Sequence, residues 1–219
     1  MQIKSTFSLL ALLLLLMTGA NAQDITFRDL VGVSVKGSGY AEIKGSPYFS
    51  DEWLPGAIKA NDGKVYNNVF IKLDEVKNQL LLKLKLNDEA SESTVPIVEF
   101  RVMHFGASKV FKAQKVGAKT KFMEVIYDGK VSLLKLHQKD IMEDRAFNSA
   151  TADKKIVESI VYYLSYNGEI QKVKLNSKNI LTAFGDQRKN VEKHINENGL
   201  NLELEEDVVK TLKFYSSLE

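Results

Sequence analysis

Residues 121–136, KFMEVIYDGKVSLLKL, and residues 158–175, ESIVYYLSYNGEIQKVKL, are built alike. In each, two apolar runs flank a dipeptide that turns the chain, Asp128-Gly129 in the first and Asn167-Gly168 in the second. A type I′ turn needs positive φ at both central residues, which Asn, Asp and Gly tolerate best, so each stretch predicts a tight antiparallel hairpin. The runs are short and rich in Val, Ile, Tyr and Phe, side chains that fit a pleated, half-buried surface. Two such units predict an antiparallel meander. The polar chain between them, Gln138 to Lys155, reads as a mobile loop.

Working toward the N-terminus, the same period continues. Val98, Phe100 and Val102 alternate with Glu99 and Arg101. Leu80, Leu82, Leu84 and Leu86 share one face of a strand whose other face carries Leu81, Lys83 and Lys85. One dry and one wet face is what such alternation means. Val69, Ile71 and Leu73 alternate with Phe70 and Lys72, and Ile58 to Tyr66 reads as a hairpin turning at Asn61-Asp62-Gly63. Residues 23–45 read as a loosely ordered segment, with one short strand at Val31, Val33 and Val35, a packed turn around Phe27 and Leu30, and a linker at Gly37-Ser38-Gly39.

Working toward the C-terminus, the period changes from two to 3.6. Asn176-Ser177 caps a short helix carrying Ile180, Leu181 and Phe184 and ending at Gly185. Asp186 is the expected cap of a second helix with Val191 and Ile195 four apart. A third, about Glu203 to Leu218, has an acidic first turn that complements the helix dipole and an apolar stripe of Val208, Leu212 and Tyr215. The expected fold is α+β: an antiparallel β-meander over 46–175, forming a curved sheet or open barrel, followed by a C-terminal subdomain of about three short helices over 176–219 packed on it.

The first 22 residues have the parts of a secretory signal: Lys4, an apolar run from Phe7 to Met17, and the small-x-small box Ala20-Asn21-Ala22, which predicts cleavage after Ala22. That run is well short of the roughly 20 residues a spanning helix requires, so no transmembrane segment is expected in the mature chain. The expected location is the periplasm or the extracellular space. The 219 residues contain no cysteine, which excludes disulfides, thiolate metal sites and a lipid attached at a cleavage-site cysteine. Loss of the leader takes one lysine and no acid, so Lys+Arg falls from 30 to 29 against 28 Asp+Glu and the net charge becomes +1. So even a balance provides no field for nucleic acid or anionic lipid.

The chemistry-bearing residues are few. Of three histidines, none has a metal-ligand spacing. His137 with Asp140, Glu143 and Asp144 reads as a solvated charge cluster, and no cofactor is implied. His104 follows the parity of Val98, Phe100 and Val102 and reads as structure at the rim. His194, beside Val191 and Ile195, reads as boundary packing. Asp51 and Glu52 are adjacent, so on extended chain they diverge rather than converge as a glycosidase pair must. The candidate binding residues are Tyr48, Phe49 and Trp53, three aromatics within six residues between Pro47 and Pro55, able to stack on a sugar ring or fill a partner's pocket unless Trp53 is core.

The run Gly45-Ser46-Pro47-Tyr48, then Asp51-Glu52-Trp53-Leu54-Pro55-Gly56 and Asp62-Gly63-Lys64-Val65-Tyr66, resembles a family of exported Gram-negative bacterial proteins of unknown function. Phe122 to Val125, Asp128 to Lys135, Tyr162 to Leu164, Asn176 to Phe184 and Asn198 to Leu202 fit the same pattern in the same order. The resemblance implies export and no catalytic residue. The expected function is a non-enzymatic binding or interaction module, either a carrier of an apolar ligand, a sugar binder or a subunit docking an envelope protein. The alternative is a hydrolase with a site assembled from dispersed acids and His104.

Overall fold

The computed structural model describes residues 30–35, 39–144 and 153–218. The leader with its cleavage site at Ala22, Phe27, Gly37, Ser38 and the middle of the 138–155 stretch lie outside the described residues. The strands are β1 (Val31–Ser34), β2 (Ile43–Lys44), β3 (Leu54–Ala60), β4 (Val65–Asp74), β5 (Gln79–Lys83), β6 (Ser91–Ser93), β7 (Ile97–His104), β8 (Ala107–Val116), β9 (Lys119–Tyr127), β10 (Ser132–Asp144), β11 (Asp153–Tyr166) and β12 (Glu169–Val173). They form one open sheet in the order β1-β6-β5-β4-β3-β7-β8-β9-β10-β11-β12, antiparallel throughout except that β2 adds to β11 in parallel. A helical region follows, so the fold is α+β as the sequence predicts.

One short connection dictates the shape. Between β6 and β7 the sheet interposes β5, β4 and β3, which is four spacings of about 4.8 Å, or roughly 19 Å on a flat sheet. The chain from Ser93 to Ile97 spans at most about 14 Å even when fully extended. The sheet must therefore curl until β6 and β7 approach each other. The link crosses the lower end of the curl: Asn61 N–H donates to the Pro96 carbonyl at 2.9 Å, and Thr94 N–H donates to that of Leu30 at 2.7 Å. Inside the curl lies the first core, including Leu30, Ile58, Ile71, Leu82, Phe100 and Phe111, with Phe100 and Phe111 stacked 4.6 Å apart.

Register carries one row of side chains across the whole inner face. Tyr66, Ile58, Phe100, Phe111, Glu124, Lys135, Tyr162 and Val173 are successive cross-strand partners from β4 to β12. The row is apolar at both ends and charged in the middle. Its far end meets the helices α1 (Ser177–Ile180), a 3-10 turn (Leu181–Gln187), α2 (Arg188–Glu197) and α3 (Glu205–Ser217) in a second core built from Leu133, Leu164, Phe184, Val191, Val208 and Leu212. The α3 stripe is thus buried on the chain's own sheet, with Tyr215 against Phe184 at 4.7 Å. No helix of the described residues is long and apolar enough to cross a membrane.

The local signals are realised unevenly. Asn167 (φ 52) and Gly168 (φ 78) make the expected type I′ turn, and Asn176 Oδ1 accepts from Asn179 N–H at 2.9 Å as the cap of α1. Asp186 does not cap α2; the cap residue is Gln187, whose side chain accepts from Asn190 Nδ2 at 2.7 Å. Neither Asp128 nor Gly129 has positive φ. Gly129 is needed there for space, since a Cβ would lie 2.6 Å from the Tyr127 ring and 2.8 Å from Ser216 Oγ of α3.

Three strand expectations are corrected. The Leu80–Leu86 strand stops at Lys83, where a turn closed by Asp88 takes over, Lys85 N–H donating to its carboxylate at 2.8 Å. Leu84 and Leu86 are left 43% and 55% exposed. Val98 is the extra residue of a β-bulge, because β7 advances two positions while β3 advances one, and it turns outward. The supposed loop after Gln138 is strand: β10 and β11 pair from Ser132–Ser165 to Asp144–Asp153. Residues 141–143 and 153–155 of that ribbon are exposed whichever way they point, so its end has no dry face to write a period-two pattern into its sequence.

Gly56 of β3 lies between Val69 and Val102, and a Cβ there would fall 2.0 Å from the Arg101 carbonyl oxygen. Gly56→Ala is expected to lower the unfolding free energy by roughly 3 kcal/mol in urea denaturation, as an overpacked strand must shift bodily. Gly63→Asn, at φ 86 with nothing within 4 Å, is expected to cost about 1 kcal/mol in the same measurement, from the strain of a side-chain-bearing residue at positive φ and not from crowding.

Candidate functional site

The aromatic segment is held by backbone pairing to the end of β4. Phe49 N–H donates to the Leu73 carbonyl at 3.0 Å, Glu75 N–H donates to that of Pro47 at 2.8 Å, and Tyr48 bridges Asp74. Ser46 Oγ donates to the Asp51 carboxylate, and Tyr48 N–H donates back to Ser46 Oγ at 3.2 Å. On extended chain, neighbours point to opposite faces, and the candidate residues are separated accordingly. Phe49 turns inward over the mouth of the curl, edge-on to Phe111 at 5.1 Å and to His137 at 5.4 Å, and tilted on His104 at 4.9 Å. Tyr48 and Trp53 turn outward.

On the outer side, Tyr48 and Trp53 line a groove of about 210 Å³ over β4 and β5, with Lys72, Lys77, Leu81 and Val35. Lys72 Nζ lies 4.8 Å from the centre of the Tyr48 ring and 5.3 Å from that of Trp53, and Lys83 Nζ lies 4.6 Å from Trp53. Lys72 also donates to the Asp51 carbonyl oxygen. Burial lowers the proton affinity of Lys72, Asp51 opposes that, and the charge of Lys83 adds to it. Asp74, at the floor, is buried and committed: its carboxylate accepts from Tyr40 Oη at 2.9 and 3.1 Å and from Lys77 N–H at 2.8 Å.

The inner face carries a second polar constellation where the two cores meet. Glu124 of β9 is buried and ion-paired to Lys109 of β8, and His137 Nε2 of β10 lies 2.8 Å from its other oxygen. Burial would raise the Glu124 carboxyl, but His137 and Lys109 outweigh it and hold the group at about 2. Lys139 Nζ lies 3.2 Å from the buried Glu75 carboxylate and also donates to the Tyr48 carbonyl oxygen. Glu75 Oε1 has no hydrogen-bond partner among the described residues. Burial pushes Glu75 up to about 7 against the pull of Lys139 and His137. Lys135 pairs with Glu205 of α3 at 2.8 Å, and Tyr162 Oη donates to the same carboxylate oxygen at 2.8 Å.

His137 is therefore not part of a solvated cluster with Asp140 and Glu143. Its strand puts it on the inner face, while Asp140 sits on the opposite one beside Gln138, 2.8 Å away. His104 Nδ1 is buried with no hydrogen-bond partner among the described residues, its ring between those of Phe49 and Phe105. A hydrolytic site on His104 would need an acid or hydroxyl in reach to orient it. His194 stacks on Phe214 at 3.8 Å. Asp51 and Glu52 are exposed. Sequence reading missed Lys72, Lys83, Glu75, Glu124 and Lys139. For Glu124 and Lys135 a signal was present, a charge flanked on both sides by apolar residues, Met123 and Val125 in the first case and Leu134 and Leu136 in the second.

No protein-family model matches this chain, and no curated protein or solved structure matches it.

Glu75 gives a pH signature with a definite sign. Its folded pKa, about 7, lies above the unfolded value near 4.5, so its contribution to stability is fully present below about 4.5 and is lost as pH rises through 7. The loss is on the order of 3 kcal/mol. Urea unfolding between pH 5 and 8 is expected to show stability falling with pH, and Glu75→Gln is expected to flatten that slope. Glu124, held low, acts in the other window: its contribution is present above about 4.5 and is lost only as pH falls toward 2.

Proposed function

We propose that the protein is exported, loses its leader after Ala22, and acts in the periplasm or beyond as a non-enzymatic binding module for a saccharide. Export is supported by the leader pattern and by the resemblance to exported proteins. The single observation behind the binding surface is the outer groove in which Tyr48 and Trp53 stand side by side, half-buried, over a strand pair. Rings held in this way present flat apolar faces of the size of a sugar ring, at low entropic cost because their backbone is already fixed.

The interior of the curl gives little support to an apolar-ligand carrier. The space among Phe49, Leu54, Ile71, Phe100 and Val102 amounts to about 10 Å³, room for about one water molecule. A docking stripe on α3 is equally poorly supported, since Val208 and Leu212 are fully buried. Phe49 acts as a positioning residue, anchoring the segment from inside so that its neighbours stay on the outside.

Trp53 is the only tryptophan of the chain, beside eight tyrosines, so fluorescence excited selectively at the indole reports on the groove alone. Titration with a panel of oligosaccharides is expected to shift its emission for at least one of them. By calorimetry, Tyr48→Ala is expected to weaken that binding at least tenfold, about 1.4 kcal/mol, and Trp53→Ala to abolish it. A panel that leaves the emission unmoved, or binding indifferent to both substitutions, defeats the reading. Sequencing the N-terminus of protein recovered from its own host is expected to begin at Gln23.

A further inference from the structure

We infer that the groove selects an acidic saccharide, one carrying a carboxylate or phosphate beside a sugar face, over a neutral one. The inference rests on Tyr48 and Trp53 being the ligand-contacting rings. Those rings are engaged by ammonium groups: Lys72 sits over both and Lys83 over Trp53. Among the described residues neither lysine has a carboxylate within ion-pair distance; each donates instead to a backbone carbonyl, Lys72 to Asp51 and Lys83 to Leu86 at 3.1 Å. Of the acids nearby, Asp74 is taken up by Tyr40 and the Lys77 amide, while Asp51 accepts from Ser46 and acts on Lys72 only through its charge.

A neutral sugar approaching these rings has to displace an ammonium and offers it nothing stronger than a hydroxyl. An anionic sugar supplies both halves of an exchange. Its charged group draws Lys72 and Lys83 off the aromatic faces, and its apolar face takes the place they leave. A cation–π contact at a partly exposed site is worth about 0.5–1 kcal/mol, whereas a charge-assisted hydrogen bond is worth roughly 1.5–3 kcal/mol. The exchange is therefore favourable for the acid alone. Burial is the main cause of the lowered proton affinity of Lys72, with the charge of Lys83 a smaller one, and an anion between the two ammonium groups offsets that smaller contribution.

The test compares oligogalacturonate, oligomannuronate and oligoglucuronate with their methyl esters, which keep the sugar face and lose the charge, and with inorganic phosphate, which keeps a charge and has no face. At least one acid is expected to bind ten or more times more tightly than its ester, with affinity falling as salt rises. Lys83→Met is expected to bring acid and ester together, and Lys72→Met to do the same if its thermal melt matches the parent. Equal binding of acid and ester, both lost in Trp53→Ala, overturns the acidic preference and leaves the groove standing. No binding by any acid or ester overturns the acidic preference, and if no neutral oligosaccharide binds either, the groove falls with it. Phosphate competing at the affinity of the acids overturns the exchange, since the rings would then contribute nothing.

Discussion

The fold depends on neutralising charge where two oily interiors meet. The inner row that begins with Tyr66, Ile58, Phe100 and Phe111 continues into Glu124, Lys135 and Tyr162 before it becomes apolar again at Val173. A buried carboxylate without partners costs several kcal/mol, and a pair recovers that only with good geometry and further hydrogen bonds. Glu124 has both Lys109 and His137, and Lys135 has Glu205 and the Tyr162 contact beside it. These pairs join β8, β9, β10 and α3, so the curl and the helical layer are held in one relative placement. Glu75 is the costly member: its Lys139 partner reaches one oxygen and leaves the other unsatisfied among the described residues.

The parts of this fold legible in the sequence are those where one face is dry. Val69, Ile71 and Leu73 are all buried, as their alternation requires, and Asn167-Gly168 turns as its chemistry dictates. Legibility fails where that logic does not operate. Strand β8 was not foreseen because the turn before it is Phe105-Gly106, with Phe105 at φ 48 and 95% exposed. A bulky residue rarely occupies that region, so Gly106, at φ 76, is the one turn residue that announces it. The far end of β10 and β11 was hidden because both its faces are wet, and Val98 because a bulge reverses parity without changing composition.

The candidate site was half legible for the same reason. Clustering of Tyr48, Phe49 and Trp53 was visible, and extended chain separates 48 from 49 by necessity. The lysines that give the groove its chemical character come from positions 72 and 83, on strands that are adjacent only through the β4–β5 register, where Phe70 faces Lys83 and Lys72 faces Leu81. Linear spacing contains nothing of that neighbourhood.

The three residues Thr94 to Pro96 behave like a bowstring. Because the link is shorter than the flat sheet it subtends, curvature is imposed by covalent length and not by a balance of weak contacts. Straightening would require breaking strand pairs, so β4 and β5 cannot flex open independently of β7. Their outer surface is accordingly held convex, with the backbone positions of Lys72 and Lys83 fixed by the β4–β5 register while their long side chains stay free to leave the rings. A ligand meeting that surface finds the backbone beneath it already ordered, and only side chains have to rearrange when it arrives.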